Sequence, residues 1–342
     1  MSHYHSLTVS RVIDETHDSK SLVFDVPAAL AEAFAYKSGQ FLTLRVPHAA
    51  GTLPRCYSLA SAPGLDDAPR VTVKRVADGR ASNWLCDKVK AGDTLEVLAP
   101  AGVFTAKSYA GDFLLFAGGS GVTPVFSIAR SALASGQGRV LMVYANRDER
   151  SVIFRDALKS LAADYPDRLT VVHWLDSVQG VPSAAQLAAL ARPFANAEAF
   201  ICGPAPFMDA AEAAMAQLGA ARERVHVERF VSLPGEDEVA TAPQTGGEAA
   251  RAVALTVLLD GETHRIEANS GEFLLAAMDR AGLRAPHSCR VGGCASCMCK
   301  VNEGSVKLHA NTALDETDLA EGWTLACQAV AETDAVTVAF PD

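Results

Sequence analysis

Nowhere in these 342 residues does an apolar run approach the ~20 needed to cross a bilayer, so no membrane span is expected. The start, Met1-Ser-His-Tyr-His-Ser6, lacks both a basic segment and an apolar core, and no secretory signal is expected there. A basic surplus is also missing: 30 Lys and Arg face 40 Asp and Glu, for a net charge of −10. Nucleic acid, whose phosphates demand a basic face, is therefore an unfavourable partner. Internal repeats and low-complexity tracts are absent too. What remains is an ordinary globular composition, enough for two or three domains at roughly 100–200 residues each.

The charge that is present is unevenly spread. Residues 251–342 carry a net −6 and residues 232–250 a net −4, which leaves residues 1–231 neutral. An acidic end on a neutral body suits docking to a basic protein surface, and a merely solvated acidic face equally well. Eight cysteines without an export signal imply a reducing cytoplasm, with thiols serving as ligands or small buried residues. Four of them are patterned. Cys289-Arg-Val-Gly-Gly-Cys294-Ala-Ser-Cys297, with Cys327 far downstream, has the C-x4-C-x2-C…C spacing of a plant-type [2Fe–2S] ligand set. Four thiolates hold two irons, Gly292 and Gly293 let the backbone wrap closely, and Arg290 adds positive charge beside an anionic group. Zinc sites usually pair two short C-x2-C units, of which only one occurs here. Disulfides suit exported chains.

Upstream, residues 1–105 read as β structure. Leu7–Ile13, Ser21–Val26, Phe41–Val46, Arg70–Val76 and Thr94–Leu98 are short β-branched runs between Gly, Pro and Asp turns, which suggests a small closed barrel. Arg55-Cys56-Tyr57-Ser58 offers a cation, an aromatic face and a hydroxyl, although such a tetrapeptide is more often just a strand. Gly79-Arg-Ala81-Ser82 opens a short helix for which Ser82 is the expected N-cap. After Pro100 the pattern changes. An apolar strand, Asp112–Ala117, runs into Gly118-Gly119-Ser-Gly121-Val-Thr123-Pro124 and then a helix over 125–135, the strand–loop–helix opening of a nucleotide fold without its usual third glycine. Strands over 140–144, 169–175 and 199–202 alternate with helices over 151–164, 183–191 and 206–218, which predicts a parallel α/β sheet. Cys202-Gly203-Pro204 falls at a strand's carboxyl end, where such sheets bind ligands. Residues 232–250, acidic and poor in large apolar side chains, read as a linker. Beyond it, Asp260-Gly261 signals a hairpin, residues 272–281 a helix, and Ala335–Phe340 a last strand.

In this order the motifs, closed by Cys327-Gln-Ala329, resemble the ferredoxin–NAD(P)+ reductase superfamily with a plant-type ferredoxin fused at the C-terminus. Tyr144–Phe154 and Leu169–Gln179 are most similar to reductases of 3-ketosteroid 9α-hydroxylating oxygenases, with those of phenylacetyl-CoA epoxidases as near relatives. The resemblance implies a multidomain fold: an antiparallel β-barrel for the flavin (1–107), an α/β parallel sheet for the nicotinamide dinucleotide (108–231), the linker, and an α+β β-grasp ferredoxin (251–342). It further implies that Arg55 binds a flavin phosphate, Tyr57 stacks on the ring and Ser58 reaches its N5 edge, with Cys56, Val73 and Lys74 among the cofactor contacts. The Gly79, Ala81 and Ser82 turn would take the pyrophosphate, and its Gly-Arg-Ala-Ser form favours FAD over FMN. Gly118, Gly119, Gly121, Thr123 and Pro124 would cradle the dinucleotide, and Cys202, Gly203 and Pro204 would place the nicotinamide. Glu228 and Phe230 would close the reductase body near the flavin. NADPH-using relatives carry Ser-Arg where Asp176-Ser177 follows the strand 169–175, so NADH is expected.

Cys56, Cys86, Cys202 and Cys299 are expected to pack, and His287 to cap or face solvent. The implied chemistry needs no catalytic triad: electrons pass from NADH through FAD and the [2Fe–2S] cluster to a terminal oxygenase of the Rieske type. The alternatives are a phenylacetyl-CoA epoxidase-like partner, direct reduction of a small molecule, or a passive electron-transfer or redox-sensing module.

Overall fold

The computed structural model describes residues 4–48, 51–230, 252–314 and 316–341; the expected linker, 232–250, lies outside them. By their contacts the described residues fall into two units, one of 5–46 and 57–230, the other of 4, 47–48, 51–56, 252–314 and 316–341.

The β-branched runs become strands β1 (His5–Thr16), β2 (Ser19–Asp25), β3 (Phe41–His48), β5 (Arg70–Lys74) and β6 (Thr94–Val97), and the motif strand is β4 (Gly51–Ser58), most of which counts with the other unit. Their order is β4-β3-β6-β1-β2-β5. An isolated bridge between Leu59, just after β4, and Val71 of β5 links the two ends of this order. Helix α1 (Arg80–Lys88) starts from Gly79, not from Ser82. A left-handed Asp78 (φ 56°) turns the chain so that the Val76 N–H donates to Ser82 Oγ at 3.2 Å. The expected cap is thus spent on the turn.

The parallel sheet comprises β7 (Phe113–Gly118), β8 (Val140–Asn146), β9 (Leu169–Leu175), β10 (Glu198–Cys202) and β11 (Val225–Glu228), in the order β11-β10-β7-β8-β9. Its central strands β7, β8 and β10 read as apolar runs because both faces are covered. Helices α2 (Val122–Ser135) and α3 (Arg155–Asp164) bury one face with Phe113, Leu115 and Met142. Helices α5 (Ala184–Ala191) and α6 (Ala205–Gln217) bury the other with Leu114, Phe116 and Val143, and a one-turn helix, α4 (Asp176–Gln179), follows β9. Helix α3 begins four residues later than the pattern predicted. Phe154 sits at φ 61° there, its ring stacked on Phe126 at 4.8 Å between centroids, and this left-handed backbone interrupts the helix.

In the second unit β12 (Ala252–Leu259) and β13 (Glu262–Asn269) form the expected hairpin, with both Asp260 and Gly261 at positive φ as a two-residue turn requires. Strands β14 (Met298–Glu303), β16 (Trp323–Leu325) and β18 (Ala335–Ala339) complete a mixed sheet, ordered β13-β12-β18-β14-β16. Helix α7 (Leu274–Arg280) packs Leu274, Leu275 and Met278 into its core, the β-grasp arrangement. The small pair β15 (Val306–Leu308) and β17 (Ala329–Ala331) and the short α8 (Glu316–Ala320) flank it. Among the described residues no helix is long and apolar enough to cross a membrane.

Candidate functional site

The cysteine loop lies between α7 and β14. Gly292 is its tightest point: it sits at φ 76°, and a Cβ there would stand 2.3 Å from the Ala310 carbonyl oxygen. Gly293 is not in the left-handed region, so only one of the two glycines is conformationally required. The Ala326 N–H donates to the Cys297 carbonyl at 3.0 Å, which brings Cys327 to the loop. The four thiols then pair off, Cys289 with Cys294 and Cys297 with Cys327, each pair sharing a hydrogen bond. That sharing pushes Cys289 and Cys297 up, with burial adding to it, and pushes Cys294 and Cys327 down. Backbone N–H groups also point at sulfur, from Cys289 to Cys294 Sγ at 3.4 Å and from Val291 to Cys289 Sγ at 3.5 Å. Such donors favour thiolates. Among the described residues no three His, Cys, Asp or Glu side chains converge on a single ion. Two thiol pairs fit two irons with two protein thiolates each.

Two further cysteines lie close by. Cys56 packs against Cys289 and Val291. Cys299, fully buried in the core on β14, has its thiol pushed up to about 12 by burial.

The barrel and the parallel sheet supply the other candidate residues. Arg55 Nη1 donates to the Pro54 carbonyl at 2.7 Å. Ser58, 3% exposed, donates its hydroxyl to Glu228 Oε2 at 3.3 Å. Glu228 in turn stands in register with Cys202 across β10 and β11. Residues far apart in the chain thus meet at one place. Burial, and secondarily Glu228, pushes the Cys202 thiol up, which leaves it a neutral, shape-filling group. Phe230 is about half exposed beyond the strand end. Val73 is buried, and Ala81 and Ser82 are buried in the first turn of α1. The Lys74 ammonium lies 3.9 Å from Asp18 and would stand 3.8 Å from a Cβ placed on Gly119.

The glycine loop needs its glycines because another backbone crosses it. A Cβ on Gly121 would lie 2.2 Å from the Cys202 carbonyl oxygen, and one on Gly118 2.7 Å from Pro204 Cδ. One on Gly203 would lie 2.8 Å from Gly118 Cα. Thr123 Oγ1 donates to the Ser120 carbonyl at 3.0 Å, and Pro124 sits in the first turn of α2. Tyr144, fully buried, donates its hydroxyl to the Gly119 carbonyl at 3.2 Å and accepts the Ile153 N–H at 3.1 Å. It ties the loop to the turn after β8. Asn146, 3% exposed at the carboxyl end of β8, has both amide atoms without a hydrogen-bond partner, and Asp176 at the end of β9 has one such oxygen. Buried polar atoms left unpaired at strand ends, beside a loop with no room for side chains, fit a polar ligand such as a dinucleotide. Sequence reasoning assigned nothing to Tyr144 or Asn146. The available signal was a polar tip in an otherwise apolar strand.

Family models match the chain in three consecutive segments: an oxidoreductase FAD-binding domain over 6–106, an oxidoreductase NAD-binding domain over 115–213, and a 2Fe-2S iron-sulfur cluster binding domain over 257–332. The 3-ketosteroid-9-alpha-monooxygenase ferredoxin reductase component of Rhodococcus rhodochrous is 53% identical over 98% of this chain and 96% of its own. The chain belongs to this family of flavin and iron–sulfur reductases. The corresponding component from Mycolicibacterium smegmatis is 50% identical over 100% of this chain and 98% of its own. One of the subunits of the 1,2-phenylacetyl-CoA epoxidase of Escherichia coli is 36% identical over 99% of this chain and 98% of its own. Phthalate dioxygenase reductase shares the fold of this reductase, with a TM-score of 0.58 over 98% of each chain at 23% identity. The FAD/NAD-binding domain of a nitric oxide dioxygenase from Vibrio cholerae superposes on 66% of the reductase and 98% of its own chain, with a TM-score of 0.58 and 27% identity.

Proposed function

We propose that this reductase takes electrons from NADH and delivers them singly, through FAD and a [2Fe–2S] cluster, to the terminal oxygenase of a 3-ketosteroid 9α-monooxygenase in a reducing cytoplasm. The observation that supports the reading is the meeting of Ser58 and Glu228 beside Cys202, residues drawn from motifs far apart in the chain. When bound, the flavin supplies the conversion from two-electron to one-electron transfer. The chain's own residues orient the two rings: Ser58 and Tyr57 on the flavin side, Cys202 and Gly203 on the nicotinamide side. Gly118 to Gly121 exclude side chains from the dinucleotide path. Two cysteine pairs hold the irons. The net −6 over residues 251–342 suits encounter with a basic face on the oxygenase. The steroid oxygenase ranks above the epoxidase because of the 53% against 36% identity.

The purified protein mixed with NADH under argon is expected to bleach in both its flavin and its iron–sulfur absorption bands. It should then support turnover of a 3-ketosteroid by the 9α-oxygenase in preference to phenylacetyl-CoA epoxidation. A protein whose spectrum does not respond to NADH removes the proposal.

A further inference from the structure

His287 stands two residues before the first cluster cysteine and is half-buried, not a surface residue. Its Nδ1 lies 2.9 Å from the Ala285 carbonyl, which can only accept, so Nδ1 carries the proton. Nε2 is then a bare acceptor, and Arg290 Nη2 donates into it at 2.7 Å. The Ala285 acceptor and the Arg290 donor together fix the ring as the neutral Nδ1–H tautomer. On its other side Arg290 Nη1 meets the Asp279 carboxylate of α7 at 2.8 Å. Gln328, the neighbour of Cys327, donates Nε2 to the Arg290 carbonyl at 2.9 Å. One residue is therefore held by three others, at its head and at its backbone.

The backbone of Arg290 explains why this is informative. It sits at φ 58°, a left-handed conformation that strains a residue with a Cβ and that glycine adopts freely. A strained arginine, doubly held by its side chain, points to a use for the guanidinium at that spot. Arg290 adjoins Cys289 in the chain. Its guanidinium also lies within electrostatic reach of Cys327.

We propose that His287 is a positioning residue for the cluster: as a neutral acceptor it holds the Arg290 guanidinium at the cysteine loop and so raises the reduction potential of the cluster bound there. A fixed positive charge favours the reduced state, which is the more negative one. A neutral tether fixes that charge without adding a second cation. The inference rests on the [2Fe–2S] reading of the loop and not on the identity of the oxygenase.

The test uses full-length holoprotein, with iron and flavin content measured first, and follows the reduced cluster by EPR through an anaerobic dye-mediated titration. His287→Phe keeps a ring of similar volume and removes both nitrogens. The equilibrium constant for reducing its cluster is expected to fall about three- to tenfold, tenfold being about 59 mV for one electron. His287→Gln, which restores an acceptor, is expected to stay within about twofold of the parent. Arg290→Gln should lower the constant as His287→Phe does, and combining the two should lower it no further. His287→Leu is read in the same way should the Phe variant not load. An unmoved potential in a loaded Phe or Leu variant overturns the proposal, as does an equal drop in the Arg290→Gln background. A parent protein that binds no iron would instead sink the cluster reading itself.

Discussion

Asp176 begins α4 at the carboxyl end of β9, and its Oδ1 is buried without a hydrogen-bond partner. Burial pushes its carboxyl pKa up. An unsatisfied buried acceptor costs roughly 1–3 kcal/mol, which a ribose hydroxyl would relieve by donating to it. A 2′-phosphate brings no such donor and adds like charge. The reductase is therefore expected to prefer NADH, and Asp176→Ser/Ser177→Arg to move the kcat/KM ratio toward NADPH. Removing a repulsion and adding a charged contact, at ~1–3 kcal/mol each, gives one to four decades in all. Equal specificity constants for the two cofactors in the parent, or an unmoved ratio in the variant, would defeat this. The identity and place of Asp176 were legible in the sequence because both are local. Its orphaned oxygen was not, nor the roles of Tyr144 and Asn146, because burial comes from neighbours brought in by the fold.

Strand β14 decides the role of the fifth cysteine near the loop. The strand starts at Met298, directly after Cys297, and its side chains alternate from there. Cys299 then points into the core, opposite Thr324 on β16, while Lys300 faces solvent. Cys299→Ala is expected to keep full iron content with a stability loss of about 1 kcal/mol, the usual size for a small buried deletion. Cys327→Ser, which breaks one of the two thiol pairs, is expected to lose the cluster while retaining flavin. Iron and flavin assays on both variants check this, and iron lost from the Cys299 variant would overturn the ligand assignment. Helix α3 shows what the pattern did not reveal at this scale. Its periodicity extends back to Ser151, but Val152 is extended and Phe154 left-handed, with the Phe154 ring stacked on Phe126.

Three large apolar clusters are each confined to one part of the chain, while a small one joins Cys56 to Cys289 and Val291. The clusters on the two faces of the parallel sheet draw on residues 60–215, and that of the β-grasp on residues 253–340. A fragment of residues 251–342 is therefore expected to fold and hold a cluster, and one of residues 1–231 to pass electrons from NADH to ferricyanide. Without Cys56 against Cys289 and Val291, the separated cluster should be lost faster in air than that of the full chain. Absent ferricyanide reduction by the longer fragment would contradict the division.

The sequence by itself determined the kinds of chemistry. Ligand type and spacing along a loop, β-branched runs, and a glycine-rich turn after an apolar strand are properties of neighbouring residues, and these marked the cluster, the barrel and the parallel sheet. Tertiary structure decided which residues act together. Ser58 meets Glu228, Gly121 meets the Cys202 carbonyl, and His287 meets a left-handed Arg290 whose carbonyl is held by Gln328. Each of these contacts depends on the separation of two backbones that only packing brings within hydrogen-bond or van der Waals reach, and no local pattern records that separation.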